Sequence, residues 1–282
     1  MTTLSLPDFD WTIGSGAPLA VIAGVNVLES EALAMEVCDE LATVCSELGL
    51  AYAFKGSFDK ANRSSIDSYR GPGLDSGLQL LSDIKARFNV PICTDFHEPP
   101  QAEIVAGVAD ILQIPAFLCR QTDLVVAAAR AVAVKGGIIQ VKKAQFLAPW
   151  DVKNIVSKID DAMAERRVIL CERGTSFGYN NLVVDMLGFQ HMKALGCPVT
   201  VDATHAVQLP GANPLTDGTS TGGRRDGVAI IARAAVAAGA DGVFLEFHTD
   251  PDKALCDGPS CLPIGAARGL LSELKALHDI VN

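Results

Sequence analysis

The sequence predicts an α/β fold, a (β/α)8 barrel preceded by a short N-terminal β-hairpin. Three observations lead there. Apolar strand-like runs alternate with helix-like runs eight times, without a break, between residues 19 and 281. The strand runs are apolar throughout, as parallel strands buried on both faces must be. The 282 residues suit a barrel of about 250 residues. No Gly-x-Gly-x-x-Gly turn follows the first strand, which weakens an open dinucleotide-binding sheet. No linker, charge run or low-complexity stretch divides the chain, so residues 1–282 read as one barrel domain with residues 1–17 as its extension.

Each element has its own signal. Residues 1–17 are polar and hold Asp10-Trp-Thr-Ile-Gly-Ser-Gly16, which suits the hairpin. Leu19–Ala23 is the first strand. Leu33, Val37, Leu41, Val44 and Leu48 have helical spacing over 29–48, ending on Gly49. Leu50–Phe54 is the second strand, followed by a helix over 74–88. The third strand is Pro91–Asp95, with a short helix over 102–108. The fourth is Ile111–Ile114, with a helix over 123–134. Gly137–Val141 precedes a helix over 151–164, and Val168–Cys171 one over 182–195. Val199–Asp202 precedes a long loop and a helix over 227–238. Gly242–Glu246 precedes the last helix, 265–281.

Composition narrows the function. The net charge is −10 and the pI about 4.9, which argues against nucleic acid or an anionic membrane as partner. Residues 1–10 show no basic region and no long apolar run, so neither a signal peptide nor a membrane span is expected. Eight scattered cysteines, none in a Cys-x-x-Cys pair, read as reduced buried thiols. The expectation is a cytoplasmic protein.

Against that acidic background one stretch stands out. No Lys or Arg occurs in residues 1–54; then Lys55, Lys60, Arg63 and Arg70 arrive together among Ser57, Asn62, Ser64 and Ser65. Cations and small hydroxyls in a glycine-containing loop suit a phosphorylated ligand, which takes charge-assisted and bidentate hydrogen bonds. In a barrel the site forms where strands end and the following loops begin. Polar residues stand at all eight such places: Asn26; Lys55, Ser57 and Lys60; Asp95 and His97; Gln113 and Arg120; Lys142 and Lys143; Glu172 and Arg173; His205; Glu246, His248 and Asp257. The cationic excess among them calls for two phosphates, or a phosphate and a carboxylate. Singly, most have a plain reading: Lys143 as a surface lysine, Glu172–Arg173 as a local ion pair. His191 and His278 lie in helix patterns and read as structural.

Several segments together resemble the 3-deoxy-D-manno-octulosonate 8-phosphate (KDO8P) synthase family. They are Asn26-Val-Leu-Glu-Ser30, Phe54-Lys-Gly-Ser-Phe-Asp-Lys-Ala-Asn-Arg-Ser-Ser65, Tyr69-Arg-Gly-Pro-Gly73 and Thr94-Asp-Phe-His-Glu-Pro99. Gln113-Ile-Pro-Ala-Phe-Leu-Cys-Arg-Gln-Thr-Asp123, Phe177-Gly-Tyr179 with Val184-Asp-Met-Leu-Gly188, and Cys256-Asp-Gly-Pro-Ser260 complete the set. The resemblance runs from about residue 19 to 281. Gly56 stands where the family usually has Ala, Ala144 replaces a Pro, and the loop over 208–225 departs from the family's form.

The resemblance implies a homotetrameric barrel that condenses phosphoenolpyruvate with D-arabinose 5-phosphate and water, releasing inorganic phosphate. Lys60, Lys142 and Arg173, with Ser57, Gln113 and Ala116 nearby, would hold phosphoenolpyruvate. Asn62, Arg63 and Ser64 would hold the sugar phosphate, Arg63 reaching from a neighbouring subunit. Lys55 and Arg120 would add to substrate binding. Asp95, His97, His205, Glu246, His248 and Asp257 would surround the reacting carbons; His205, His97 and Asp257 are all candidates for the acid and the base. Metal-dependent members bind a divalent ion through Cys, His, Glu and Asp. Here His205, Glu246 and Asp257 survive, and Asn26 stands in place of the Cys. Metal-free members share that Asn and the Cys before Asp-Gly, so no metal and no cofactor are expected. Three rival readings are a 3-deoxy-D-arabino-heptulosonate 7-phosphate (DAHP) synthase using erythrose 4-phosphate, a class I aldolase with Lys60 or Lys142 as Schiff base, and a non-catalytic phosphosugar-binding barrel. The Lys60–Ser65 segment disfavours the first, and polar groups at every strand end disfavour the last.

Overall fold

The computed structural model describes residues 2–213 and 220–282. Two short strands, β1 (Leu4–Leu6) and β2 (Trp11–Ile13), pair antiparallel with Leu4 opposite Ile13. Then come β3 (Ala20–Gly24), α1 (Glu31–Leu48), β4 (Ala51–Lys55), α2 (Leu74–Phe88), β5 (Ile92–Asp95), α3 (Gln101–Ala106) and β6 (Ile111–Ile114). They are followed by α4 (Thr122–Lys135), β7 (Ile138–Lys142), α5 (Lys153–Asp160), β8 (Val168–Glu172), β9 (Thr175–Ser176), β10 (Leu182–Val183) and α6 (Gly188–Lys193). The chain ends with β11 (Val199–Asp202), β12 (Gln208–Leu209), β13 (Gly222–Gly223), α7 (Gly227–Ala237), β14 (Gly242–His248), β15 (Leu262–Pro263) and α8 (Ala267–Val281).

Eight parallel strands close in the order β3, β4, β5, β6, β7, β8, β11, β14. Closure is made by β14 on β3, with Gly242 opposite Ala20 and Glu246 opposite Gly24. Both faces are buried, which is why the strands carry no polar alternation. Side chains such as Val21, Ala23, Phe54 and Leu112 pack outward against the helices in one large core. Ala20, Ile22, Ala53, Ile111, Ile138, Ile169 and Phe244 point inward and form a second cluster with Leu4, Leu6, Trp11 and Ile13. The two N-terminal strands therefore cover the amino end of the barrel. The carboxyl end is left for chemistry.

Local rules set the element ends. Ser30 caps α1 by accepting from the Leu33 amide at 3.2 Å, and Gly49 stops it with φ of 67°. Two expected helices are shorter in the structure. The run over 182–195 begins as β10, paired with β9 across a turn through Gly178 (φ 72°) and Asn180 (φ 55°). The helix waits until Asp185 accepts from the Leu187 amide at 3.0 Å. Over 151–164, Pro149 opens a 3-10 turn and α5 covers only Lys153–Asp160. Periodicity cannot see either turn. Part of the loop expected over 208–225, residues 214–219, lies outside the described residues.

Candidate active site

Six barrel strands end, or nearly end, on a buried ionisable side chain: Lys55, Asp95, Lys142, Glu172, Asp202 and Glu246. A buried charge without a partner costs several kcal/mol, so pairing is compulsory. Lys55 Nζ lies 2.7 Å from Glu246 Oε1 and donates to the Asn26 carbonyl at 2.9 Å. Lys142 Nζ lies 2.7 Å from Asp202 Oδ2 and 3.0 Å from the centre of the Phe244 ring. Lys143, grouped in sequence with the strand-end cations although a surface position is its plain reading alone, is buried and does not line the cavity at the carboxyl end of the barrel. It reaches Glu172 at 3.4 Å and donates to Thr175 Oγ1 at 3.0 Å. Glu172 turns back on its own loop, accepting from the amides of Arg173 and Gly174 at 2.9 and 2.7 Å. That contact fixes where Arg173 leaves the strand.

The basic loop after β4 is folded on itself. The Lys60 amide donates to the Arg70 carbonyl at 2.7 Å, and the Gly73 amide to that of Phe58 at 3.1 Å. Gly71, at φ of 121°, is where the turn closes; a Cβ there would sit 2.4 Å from the Phe58 carbonyl oxygen. Arg70 is committed to Asp59, Nε to Oδ1 at 2.8 Å. Lys60, Asn62, Arg63 and Ser64 face a cavity of about 1230 Å³ at the carboxyl end of the barrel. The resemblance implied an Arg63 reaching in from a neighbouring subunit. Here it lines its own chain's cavity, against Cys256 Sγ and with Nη2 3.3 Å from the Leu255 carbonyl.

The same cavity is lined by Lys55, Asp95, His97, Gln113, Ala116, Lys142, Arg173, His205 and Asp257. Asn26 and Glu246 sit one layer behind. The Asn26 amide nitrogen donates to Glu246 Oε2 and, at 3.2 Å, to Asp257 Oδ2. Ser57 is fully buried behind the wall, its carbonyl accepting from Leu28. Two further expected site residues, Arg120 and His248, do not line the cavity either. Arg120 is exposed. His248 lies in β14, which runs two residues further than expected; its Nε2 is 3.4 Å from Glu29 Oε2 and its Nδ1 accepts from the Asp250 amide. Glu29 also accepts from the Leu255 amide at 2.9 Å, so the pair ties the first loop to the segment carrying Asp257.

Sequence reasoning missed four cavity residues. Gln208 Oε1 accepts from Arg173 Nη2 at 2.8 Å. Arg224 and Arg225 line the rim, Arg225 bonded to Asp252 and to the Gly258 carbonyl. Asp202 ends β11 facing the cavity, and its signal was available: a carboxylate at a strand end, the feature that singled out Asp95.

Electrostatics favour the charged forms of Asp95, Asp202, Glu246 and Lys60. Burial works to raise the Asp95 and Asp202 carboxyls, yet both lie well below the usual carboxylate range. His97 with Lys60 and Lys55 outweighs burial at Asp95; His205, Lys142 and Arg173 outweigh it at Asp202. Burial alone would lower the Lys60 ammonium, but Glu246, Asp95, Cys256 and Asp257 hold it above the ordinary lysine value. Arg173 is pulled down by burial. Among the described residues its Nη1 has no hydrogen-bond partner, nor have Asp95 Oδ1 and Gln113 Oε1. Burial also opposes the charge on Glu246, but Lys55, His205 and Lys60 bring its pKa from 4.5 down to about 2. The folded state therefore gains from this carboxylate above about pH 4.5 and loses that gain as pH falls through about 2. Glu246→Gln leaves Lys55 buried and unpaired, and a loss of about 3–5 kcal/mol at pH 7 is expected. Denaturant titrations of both proteins should show the gap between them narrowing as pH falls below about 4.5.

Comparison with known proteins gives the same result from residues across the whole chain. The model of the DAHP synthetase I family matches residues 2–282. A 2-dehydro-3-deoxyphosphooctonate aldolase of Marinobacter nauticus is 54% identical over 270 residues, 96% of this chain and 93% of its own. That of Syntrophotalea carbinolica is 53% identical over 273 residues, 97% of this chain and 95% of its own. The Geobacter protein of the same name is 51% identical, covering 96% of both chains. With the barrel closed, a cationic cavity at its carboxyl end and a match over almost every residue, this chain belongs to the DAHP synthetase I family.

Proposed function

We infer that this chain is a 2-dehydro-3-deoxyphosphooctonate aldolase, that is, a KDO8P synthase. It condenses phosphoenolpyruvate with D-arabinose 5-phosphate and water, giving 3-deoxy-D-manno-octulosonate 8-phosphate and inorganic phosphate. The observation that carries this reading is the placement of the cations in one cavity. Lys60, Asn62, Arg63 and Ser64 follow β4, whereas Lys142 and Arg173 end or follow β7 and β8. In the strand order β8 is four places from β4, directly across the barrel. Two anionic ligands can thus be held by opposite walls with their reactive ends meeting between. The names and extent of the relatives select the condensation among the reactions such a cavity could serve.

In this reading Arg173, with its free Nη1, joins Lys142, Lys60 and Gln113 on phosphoenolpyruvate, the Ala116 loop closing that side. Lys55 and Ser57 support this wall from behind. Asn62, Arg63 and Ser64 take the phosphate of the sugar. Carbon 3 of the enol attacks the aldehyde carbon while the aldehyde oxygen takes a proton. Carbon 2 becomes cationic and takes water, which gives up a proton; the enol-phosphate C–O bond then breaks and phosphate leaves. Holding both partners by their anionic ends makes the encounter effectively intramolecular, worth up to roughly 7–11 kcal/mol. Asp95, His97, His205 and Asp257 surround the reacting carbons. Glu246 and Asn26 orient Asp257 and Lys55. Arg120 and His248 act from outside the cavity.

We also propose that the enzyme needs no metal. The Asn26 amide nitrogen lies between the Glu246 and Asp257 carboxylates, with His205 Nε2 at 3.6 and 3.8 Å from them. An amide oxygen is a weak, neutral ligand where a thiolate would be a strong one. Burial and Asp257 push the neighbouring Cys256 thiol up, so it is a poor substitute thiolate. This arrangement does not fit a four-ligand metal site, and no step is routed through one. A homotetramer working in the cytoplasm, with no nucleic acid or membrane as partner, completes the proposal. Exposed Phe117, Phe146, Trp150 and Leu187 offer apolar surface for assembly, and no helix among the described residues is long and apolar enough to cross a membrane.

Phosphate release from phosphoenolpyruvate should depend on arabinose 5-phosphate and yield an eight-carbon keto-acid phosphate by mass. Equal or better turnover with erythrose 4-phosphate would overturn the substrate assignment. Arg63→Ala should raise the KM for the sugar phosphate about 10- to 150-fold, and Arg173→Ala the KM for phosphoenolpyruvate by a similar factor, as expected for a lost charge-assisted bond. Steady-state kinetics with each substrate varied separately decides it; both variants affecting phosphoenolpyruvate alone would refute the division. EDTA should leave activity intact and added manganese or zinc should not raise it. Asn26→Cys should create stoichiometric binding of a divalent metal, measured by equilibrium dialysis.

A further inference from the structure

Among the described residues, Asp202 is the carboxylate at the cavity that hydrogen-bonds both Lys142, a cation of the phosphoenolpyruvate wall, and the imidazole of His205. It is 1% exposed and ends β11. Its Oδ2 lies 2.7 Å from Lys142 Nζ and 2.8 Å from His205 Nδ1; its Oδ1 accepts from the His205 backbone amide at 2.8 Å. An ionised carboxylate only accepts hydrogen bonds, so the imidazole nitrogen facing it must carry the proton. The backbone contact adds a second constraint, because the carboxylate holds both the main chain and the ring of one residue. His205 Nε2 is consequently turned toward Glu246 Oε2 and Asp257 Oδ2, too far from either for a hydrogen bond.

From this geometry we propose that Asp202 is the positioning residue of the reaction: it fixes the His205 ring with its proton on Nδ1 and Nε2 presented to the reacting atoms, and anchors Lys142 against the Phe244 ring beside it. The inference deepens the condensation reading and rests on it. It predicts that the two functions of one carboxylate can be separated. Phosphoenolpyruvate binding draws on several cations, Arg173 and Lys60 among them, so it tolerates a disturbed Lys142. Among the described residues Asp202 is the one side chain hydrogen-bonded to His205 Nδ1; the neighbouring Phe244 ring packs near the imidazole but cannot fix which nitrogen carries the proton.

The test uses the full chain labelled with 15N-histidine, the His205 signal being assigned by its loss in His205→Ala. In the wild type His205 should show a protonated Nδ1; in Asp202→Asn, whose amide can donate toward the ring, the proton should move to Nε2. The same variant should lose kcat by about 100-fold or more, as when the carboxylate partner of a catalytic histidine is replaced by an amide. Its KM for phosphoenolpyruvate should change less than about threefold, and Asp202→Glu should recover part of kcat. An unprotonated Nδ1 in the wild type would overturn the proposal even if Asp202→Asn does not fold. An unmoved proton in Asp202→Asn, or a raised KM with kcat intact, would do the same. Wild-type phosphate release tests the condensation reading by itself, so failure of either can be told from failure of the other.

Discussion

The constraint on which this structure depends is charge compensation inside a closed barrel. Closure of eight parallel strands brings all their carboxyl ends to one rim, and six of those ends carry a buried ionisable group. None can be left alone in a low-dielectric wall. The answer is cross-strand pairing: Lys55 of β4 with Glu246 of β14, Lys142 of β7 with Asp202 of β11, and Lys143 after β7 with Glu172 of β8. Each pair spans different strands and ties the ring together where it has no apolar plug. The opposite end needs no such device, because Trp11 and Ile13 fill it with hydrocarbon.

Pairing also decides which cations stay available. Lys55 and Lys143 spend their charge on carboxylates and act as fixed walls, while Lys142, paired with Asp202, still lines the cavity. Arg173 is held by Gln208, a neutral partner, and by the geometry Glu172 imposes on its backbone, and its Nη1 has no hydrogen-bond partner among the described residues. Arg63 meets a thiol and a carbonyl, again neutral partners. Donors set in place before a ligand arrives cost no reorganisation when charge develops on it. The division between neutralised and unneutralised cations is therefore what turns a ring of ion pairs into a site for anions.

How much of this was legible follows the same line. The barrel was readable because burial on both faces leaves strand runs such as Ile111–Ile114 and Val199–Asp202 with no polar interruption. Strand ends were readable because a polar residue directly after such a run has one place to go. Lys143 was counted among the strand-end cations, but its partners Glu172 and Thr175, on the next strand and its loop, could not be read from its sequence neighbours. His248 was placed at the reacting carbons because β14 was read as stopping at Glu246. The helix expected over 182–195 failed for a local reason, the turn at Gly178 and Asn180, whose left-handed backbone a hydrophobic pattern cannot report. Asp202 was overlooked because it closes a strand just before the more conspicuous His205. Its importance lies in Lys142, sixty residues earlier, to which only the fold connects it.

Asn26 is a neutral side chain set inside a charged cluster. Around it stand two carboxylates, Glu246 and Asp257, and two ammonium groups, Lys55 and Lys60, whose charges balance. An amide keeps that balance and supplies N–H to both carboxylates at once. A thiolate in its place would add a negative charge to a buried site and withdraw the donor that keeps Glu246 and Asp257 from facing each other unshielded. The cluster would then hold three anions and an imidazole against two ammonium groups, an excess of negative charge that suits a divalent cation. In the metal-free reading proposed above, the amide and the thiolate at position 26 are two different electrostatic solutions, and the hydrogen bonds of Asn26 to Glu246 and Asp257 serve the one that closes without an ion.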